Sequence, residues 1–382
     1  MRFPEFTGEW EKCKLSKVCS FFSGGTPPSS NKEYYNGNIP FIRSGELHND
    51  ETELFITKEG LDNSAAKMVE VGDLLLALYG ATSGDIAISK IKGAINQAIL
   101  CIRTKQNKKF VESVWNKHVA RLLQTYLQGG QGNLSADIVK NIPFYFTNIE
   151  EQNKLARFIS LLDQRIAAQN KIIEKLQSLI KGIIVSHYST TAHTIKVKIR
   201  ELGEAYSTMV MSKEQLTNDG NLCVFYGELF TLYGCVIDKV KSRTSLEKVS
   251  STLSHGRDLL FPASTTVDAV SLIAPSALMQ KGIILGGDMF GIKVSEAYNP
   301  IYLSYYFNYI ANKRLAKYAK GTTIIHLHYN EIANVAIELP NIEEQDKIVS
   351  TILEYSAKLS IEETILEKLF DLKQYLLKQL FI

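Results

Sequence analysis

The residues in this 382-residue chain with types suited to chemistry occur mainly in loops of glycine, small hydroxyl, amide and basic side chains. Toward the N-terminus these are Gly24, Gly25 and Thr26, then Tyr34 and Tyr35 ahead of Arg43. They continue with Tyr79, Thr82 and Ser83, with Asn96 and Gln97, and with Gln131 and Asn133. A second set comprises Lys241, Ser242, Arg243 and Thr244, then His255 and Arg257, Ser264 and Thr265, and Lys320 and Thr322. Glycines beside short hydroxyls let backbone approach phosphates, and Arg, Asn and Gln read base edges through paired hydrogen bonds. Any one of these loops is more often a plain turn. Their recurrence in two halves of the chain is what points to DNA.

Catalytic patterns are incomplete. Gly80-Ala81-Thr82-Ser83-Gly84-Asp85 lacks the lysine of a phosphate-binding loop, and Gly129-Gly130-Gln131-Gly132 does not fit a dinucleotide fingerprint. His326-Leu327-His328 would put two imidazoles on one face of a strand, with no further ligand cluster to complete a zinc site. No nucleophile with a base and no nuclease-type carboxylate–lysine cluster stands out. A non-catalytic chain that binds no cofactor and no metal is expected.

Composition narrows the class. The chain is 45% hydrophobic and 22% charged, which favours a folded protein of two to three domains. Apolar runs such as 74–78 are too short to span a bilayer, and no basic-then-apolar leader opens the sequence. Five scattered cysteines without a C-x-x-C pair read as reduced thiols, so a cytoplasmic location is expected. The net charge is 43 − 40 = +3, which leaves room for local basic patches only. DNA binding by the isolated chain is therefore expected to be weak and salt-sensitive.

The elements that must carry these loops repeat. Asn148-Ile149-Glu150-Glu151-Gln152 returns as Asn341-Ile342-Glu343-Glu344-Gln345, an offset of 193 that also matches Leu134 to Leu327 and Glu174-Lys175-Leu176 to Glu367-Lys368-Leu369. The order is a variable block over 1–147, a long helix over 148–188, a second block over 189–340 and a second helix over 341–382. Each helix begins at an asparagine cap with glutamate three residues on. Seven-residue spacing gives a coiled-coil seam. In the first helix it is Leu155, Ile159, Leu162, Ile166, Gln169, Ile173, Leu176 and Ile180. In the second it is Ile348, Ile352, Tyr355, Leu359, Glu362, Leu366, Leu369, Lys373 and Leu376.

Residues 150–188 carry 6 basic and 4 acidic groups and 342–382 carry 5 and 8, so the helices suit each other as an antiparallel pair about 55 Å long. The fold class is mixed α/β: two globular blocks separated by two long helices in an antiparallel coiled coil, with an internal pseudo-twofold repeat. Helices near 110–127 and 300–318 complete the blocks, and 188–193 reads as the linker.

Trp10, Leu15, Gly24-Gly25-Thr26-Pro27, Tyr35, Gly37, Ile39-Pro40 and Arg43 resemble the opening of target-recognition domains in specificity subunits of type I restriction-modification enzymes. The two E-E-Q helix starts resemble that family's conserved helices. The resemblance implies that each block reads one half of a split double-stranded DNA target and that the helices set the gap. It also implies DNA methyltransferase subunits, two of them, docked on the chain, with restriction/translocase subunits joining for cleavage. The second block departs in lacking a clear G-G-T-P copy. Asn299-Pro300-Ile301-Tyr302 resembles the Asn-Pro-Pro-aromatic tetrapeptide of adenine methyltransferases, but with Ile third and no glycine-rich cofactor strand it reads as a helix start. Two other readings stay open: the recognition subunit of an enzyme with fused nuclease and methyltransferase, and a coiled-coil adaptor without a nucleic-acid role.

Overall fold

A computed structural model describes residues 2–127, 134–191 and 193–381, with the side chains of Tyr126 and Leu127 outside the description. The chain divides into two units, Met1–Asn170 with Thr364–Ile382, and Lys171–Glu363.

In the first unit, Cys19–Ser23, Ile99–Thr104, Leu74–Ala77 and Ile86–Ile88 form an antiparallel sheet in that order. A second sheet runs Phe55–Ile56, Tyr35–Ile42, Gly93–Ile95, Lys67–Val69, with Tyr35–Ile42 parallel to Gly93–Ile95. Strand side chains alternate faces, and here both faces are covered. Leu74 and Leu76 enter a core with Phe110 and Trp115, while Leu75 and Ala77 enter another with Ile42, Val69 and Ile95. That is why 74–78 reads as an unbroken apolar run. The helix Lys108–Leu127 supplies Phe110 and Trp115.

The second unit repeats this plan. One sheet runs Gly203–Ser207, Met289–Val294, Asp258–Pro262, Ser276–Leu278, Val236–Ile237, and the other runs Leu216–Thr217, Arg243–Thr244, Asn221–Phe225, Lys281–Gly286, Leu253–His255. Asn221–Phe225 and Lys281–Gly286 are parallel, as their counterparts are. Leu259 and Phe261 face one core and Leu260 the other. Pro300–Tyr306 starts on an Asn299 side chain that accepts from the Ile301 and Tyr302 amides, with proline in the first turn. It continues through a π-helical turn at Phe307–Ala311.

The long helices are Ile149–Thr190 and Ile342–Leu380. Asn148 Oδ1 accepts from Glu151 N at 2.9 Å, and Asn341 Oδ1 from Glu344 N at 2.9 Å. The returning half of a capping box is absent among the described residues of the first helix. Its Glu151 carboxylate is buried and accepts from Arg2 Nε and Nη2, at 2.7 and 2.6 Å. The stretch 188–193 is less of a linker than its composition suggests. Ser189 and Thr190 hydroxyls fold back on the Val185 and Ser186 carbonyls, which carries the helix to Thr190.

Within each unit the helix segments run antiparallel. In the first, Asp163 meets Lys373 at 2.6 Å and Leu376 joins the core containing Leu155 and Ile159. In the second, His187 lies 3.6 Å from Glu344, and Ile180 shares a core with Ile352, against which Ile348, Tyr355 and Leu359 pack. Ile166, Gln169, Ile173 and Leu176 are buried, and Leu162, Glu362, Leu366, Leu369 and Lys373 half-buried, so no seam position is exposed. The polar rung at Lys373 has a partner: burial alone would raise Asp163, but Lys109 and Lys373 bind it and hold it below its ordinary value.

The repeated glutamines fasten each helix start to its own unit. Gln152 and Gln345 are fully buried. Gln152 Oε1 accepts from Asn107 N at 3.1 Å and its Nε2 donates to Thr147 O at 2.6 Å. Gln345 Oε1 accepts from Asn299 N at 2.9 Å and its Nε2 donates to Pro340 O at 2.8 Å. Asn107 and Asn299 in turn reach Asn153 and Asp346, each at 2.8 Å.

Candidate nucleic-acid interface

Three segments, distant in sequence, are drawn together in each unit by equivalent main-chain bonds, and a fourth loop lies against them. In the first unit Leu78 N donates to Ala98 O and Leu134 N to Leu78 O, both at 2.8 Å. In the second, Ala263 N donates to Asp288 O at 2.8 Å and Leu327 N to Ala263 O at 2.9 Å. The loop after Leu74–Ala77 and the turn before Ile99–Thr104 therefore correspond to the loops at 263–275 and 287–288, and Leu134 to Leu327. The fourth loop follows the edge strand, Cys19–Ser23 or Gly203–Ser207.

That fourth loop explains the glycine pair. A Cβ on Gly24 would lie 1.8 Å from the Ile95 carbonyl oxygen, and one on Gly25 2.5 Å from Ala65 Cβ. With the backbone this close, Thr26 Oγ1 donates to Gln97 Oε1 at 2.6 Å and Tyr35 OH to Pro27 O at 2.6 Å. The second unit uses the reverse arrangement. Ile42 pairs with Ile95, and its counterpart Phe225 pairs with Gly286. Here the glycine is on the strand: Gly286 bridges Met209, and a Cβ on it would lie 2.4 Å from Met211 Sδ. Thr208 Oγ1 then donates to Gly287 O and Met289 O at 2.9 and 2.8 Å. The missing G-G-T-P copy reflects this exchange of the small residue between the two approaching chains.

Of the loop residues singled out by sequence, the first unit brings Gly24–Thr26 to Asn96–Gln97, with Tyr79, Thr82 and Ser83 on the adjoining loop. Ser83 Oγ donates to Leu78 O at 3.0 Å, and Asn96 Oδ1 accepts from Ala98 N at 3.0 Å. Tyr34 is half-buried beside Gly60. Arg43 follows its strand as Tyr226 follows Asn221–Phe225, but its guanidinium is occupied by Glu46 at 2.8 Å and Glu53 at 2.7 Å. Burial would raise Glu46, yet Arg43 and neighbouring donors hold it down at about 2. Gln131 and Asn133 lie outside the described residues.

In the second unit Ser264–Thr265 pairs with Ile325–His326, which sets Lys320 and Thr322 beside it. The other candidates are placed elsewhere. Thr244 is fully buried and donates to Gln215 O, Ser242 to Glu228, and Arg243 to Gly220 O. Lys241 lines a separate cleft with Gln177 and Tyr305. His255 and Arg257 lie at the start of Asp258–Pro262, the end away from Ala263. His255 sits 3.0 Å from Asp258, and the Arg257 guanidinium is taken up by the Val294, Ser295 and Tyr298 carbonyls.

What sequence reading missed is a cleft of about 870 Å³ lined by Thr208, Met211, Tyr226, Asp288, His328 and Asn330 among others. The repeat itself held the signal: Leu134 and Leu327 match at the same offset as the helix starts, so these two positions had to correspond. Among the described residues no group of three His, Cys, Asp or Glu side chains could hold a metal, and no helix is long and apolar enough to cross a membrane.

The profile of one protein family, described as type I restriction modification DNA specificity domain, matches twice, over residues 7–178 and 194–370. The chain belongs to this family. It carries two specificity domains, each with its own loop cluster and long helix. It is similar to the type I restriction enzyme MjaVIII specificity subunit of Methanocaldococcus jannaschii, 22% identical over 90% of this chain and 85% of that protein. The MjaIX specificity subunit of the same organism is 27% identical over 44% of this chain and 42% of that protein. Among solved structures, the type I restriction-modification S subunit from M. genitalium shares the fold with a TM-score of 0.59 and 15% identity, covering 98% of this chain and 96% of that one. A structure described as showing complex assembly and conformational transition of the type I system gives 0.58 and 15%, covering 97% of each chain.

Proposed function

We propose that this chain recognises double-stranded DNA as the specificity subunit of a type I restriction-modification assembly, each domain reading one half of a split target. The observation that supports this best is the loop cluster built twice by the same main-chain bonds and bearing different side chains each time. Asn96-Gln97-Ala98, after Ile95 in the first domain, stands opposite the shorter Gly287-Asp288, after Gly286 in the second. A scaffold held constant while its loop residues differ suits two halves of unlike sequence. The loop residues named by sequence that fall in these clusters are the proposed contacts. Methylation and cleavage belong to partner subunits, and the chain contributes recognition.

The long helices carry the partner surface. Phe158, Leu161, Phe370, Leu372 and Tyr375 are exposed in the first unit, and Ile172, Leu179, Leu353 and Ile361 in the second, although each helix also has a buried seam. Large apolar groups on a second face suit subunit docking, here by DNA methyltransferase subunits, two per chain, with restriction/translocase subunits joining the assembly. Because each helix continues from one unit into the other, its length sets the spacing between half-sites.

The test is co-expression with a candidate methyltransferase subunit followed by genome-wide mapping of methylated adenines. One split motif is expected. Inserting two whole turns after both Gln169 and Glu362 should lengthen its gap and leave its halves unchanged. Methylation without a split motif would refute the reading.

A further inference from the structure

The cleft of the second unit holds a group that a purely phosphate-binding surface would not carry. Asp288 sits in the turn between Lys281–Gly286 and Met289–Val294 and lines both the large cleft and an adjoining recess of about 490 Å³ with Lys320, His326, His328 and Glu331. The turn is firmly anchored: Ala263 N donates to Asp288 O, and the Thr208 hydroxyl donates to the carbonyls on either side of it. The carboxylate itself is 44% exposed, and His326 Nδ1 lies 3.9 Å away. It accepts no hydrogen bond among the described residues. Glu331 differs: it pairs with Lys320 at 3.0 Å and accepts from His328 N at 2.9 Å.

A carboxylate facing DNA repels phosphate, so its use there is as an acceptor for an exocyclic amine. In the major groove cytosine offers its N4 amine alone, whereas adenine sets an N7 acceptor beside N6 that opposes a carboxylate. The His326 and His328 rings, 6.1 Å apart, lie on the same cleft and offer N–H donors toward the guanine of such a pair. The first unit has nothing comparable, since Ala98 occupies the equivalent position.

The geometry points to Asp288 as a specificity-determining residue of the second domain, accepting a hydrogen bond from cytosine N4 at one C·G pair of its half-site. This rests on the DNA-recognition reading above. The experiment maps methylated motifs made by the full chain with its methyltransferase subunit, comparing wild type with Asp288→Ala and Asp288→Asn. Wild type should require C·G at one position of one half-site. Asp288→Ala should weaken that requirement about tenfold or more, and Asp288→Asn should admit A·T there, because an amide matches adenine N6 and N7. The other half-site should remain identical in both variants, which also reports that the first domain is intact. If Asp288→Ala abolishes methylation through misfolding, the near-isosteric Asp288→Asn decides the matter. An unchanged motif, a change at a position that is not C·G, or a change in both halves would overturn the assignment. Wild type without any split motif would instead overturn the DNA-recognition reading beneath it.

Discussion

Gln345→Ala isolates what the repeated E-E-Q start does. The side chain is fully buried, accepts from Asn299 N at 2.9 Å and donates to Pro340 O at 2.8 Å. Truncation strands one main-chain donor and one acceptor, each costing about 1–3 kcal/mol when buried without a partner. The expected loss is about 2–5 kcal/mol, a large share of the ~5–15 kcal/mol that stabilises a domain. Asn341→Ala removes only a helix cap and should cost about 1 kcal/mol. Urea unfolding of the two variants, with hydrogen exchange read at the Asn299 amide, separates these roles. Gln345→Ala should lower the midpoint further than Asn341→Ala and speed exchange at Asn299. A Gln345→Ala protein within about 0.5 kcal/mol of wild type, its Asn299 amide still protected, would refute the fastening role.

Three further outcomes follow from the same structure. Gly24→Ala places a Cβ 1.8 Å from Ile95 O, so the first domain should be destabilised by several kcal/mol with loss of the Thr26–Gln97 bond, whereas Gly45→Ala, where nothing lies within 4 Å, should be near neutral in thermal unfolding. Asp163→Ala leaves both Lys109 and Lys373 without that partner and should lower the urea midpoint more than Lys373→Ala, which leaves Lys109 in place. Glu46 is held at about 2 against an ordinary 4.5, so its contribution is present above pH 4.5 and is lost as pH falls toward 2. Stability measured against pH should flatten across that window in Glu46→Gln.

Much of the architecture is legible in residue order because it is periodic or repeated. The heptad rows and the duplicated asparagine-to-glutamine helix starts are local patterns, and they locate both long helices to within a few residues. The role of Gln152 is not legible, because its partner Asn107 lies 45 residues upstream and nothing at either position announces the other. The site loops were partly readable from type. Thr26, Gln97, Ser264 and Lys320 fall in the clusters, while Arg257 and Thr244 do not. Arginine and threonine are as well suited to capping backbone carbonyls as to meeting DNA, and only the fold decides which they do. The proposed role of Asp288 meets the same limit: an acidic residue in a turn reads as solvation until its neighbours are known.

The first unit is assembled from two stretches of chain, and Leu376, Leu377, Leu380 and Phe381 belong to the same core as Leu15 and Trp115. Translation therefore leaves that core open until its final contributors emerge, while the second unit, Lys171–Glu363, is contiguous and can close earlier. The domain made first is the one that finishes last. In the cell, its unfinished apolar surface is what chaperones would meet, and frameshifts or premature stops late in the message would damage the N-terminal recognition domain before the one encoded nearest to them.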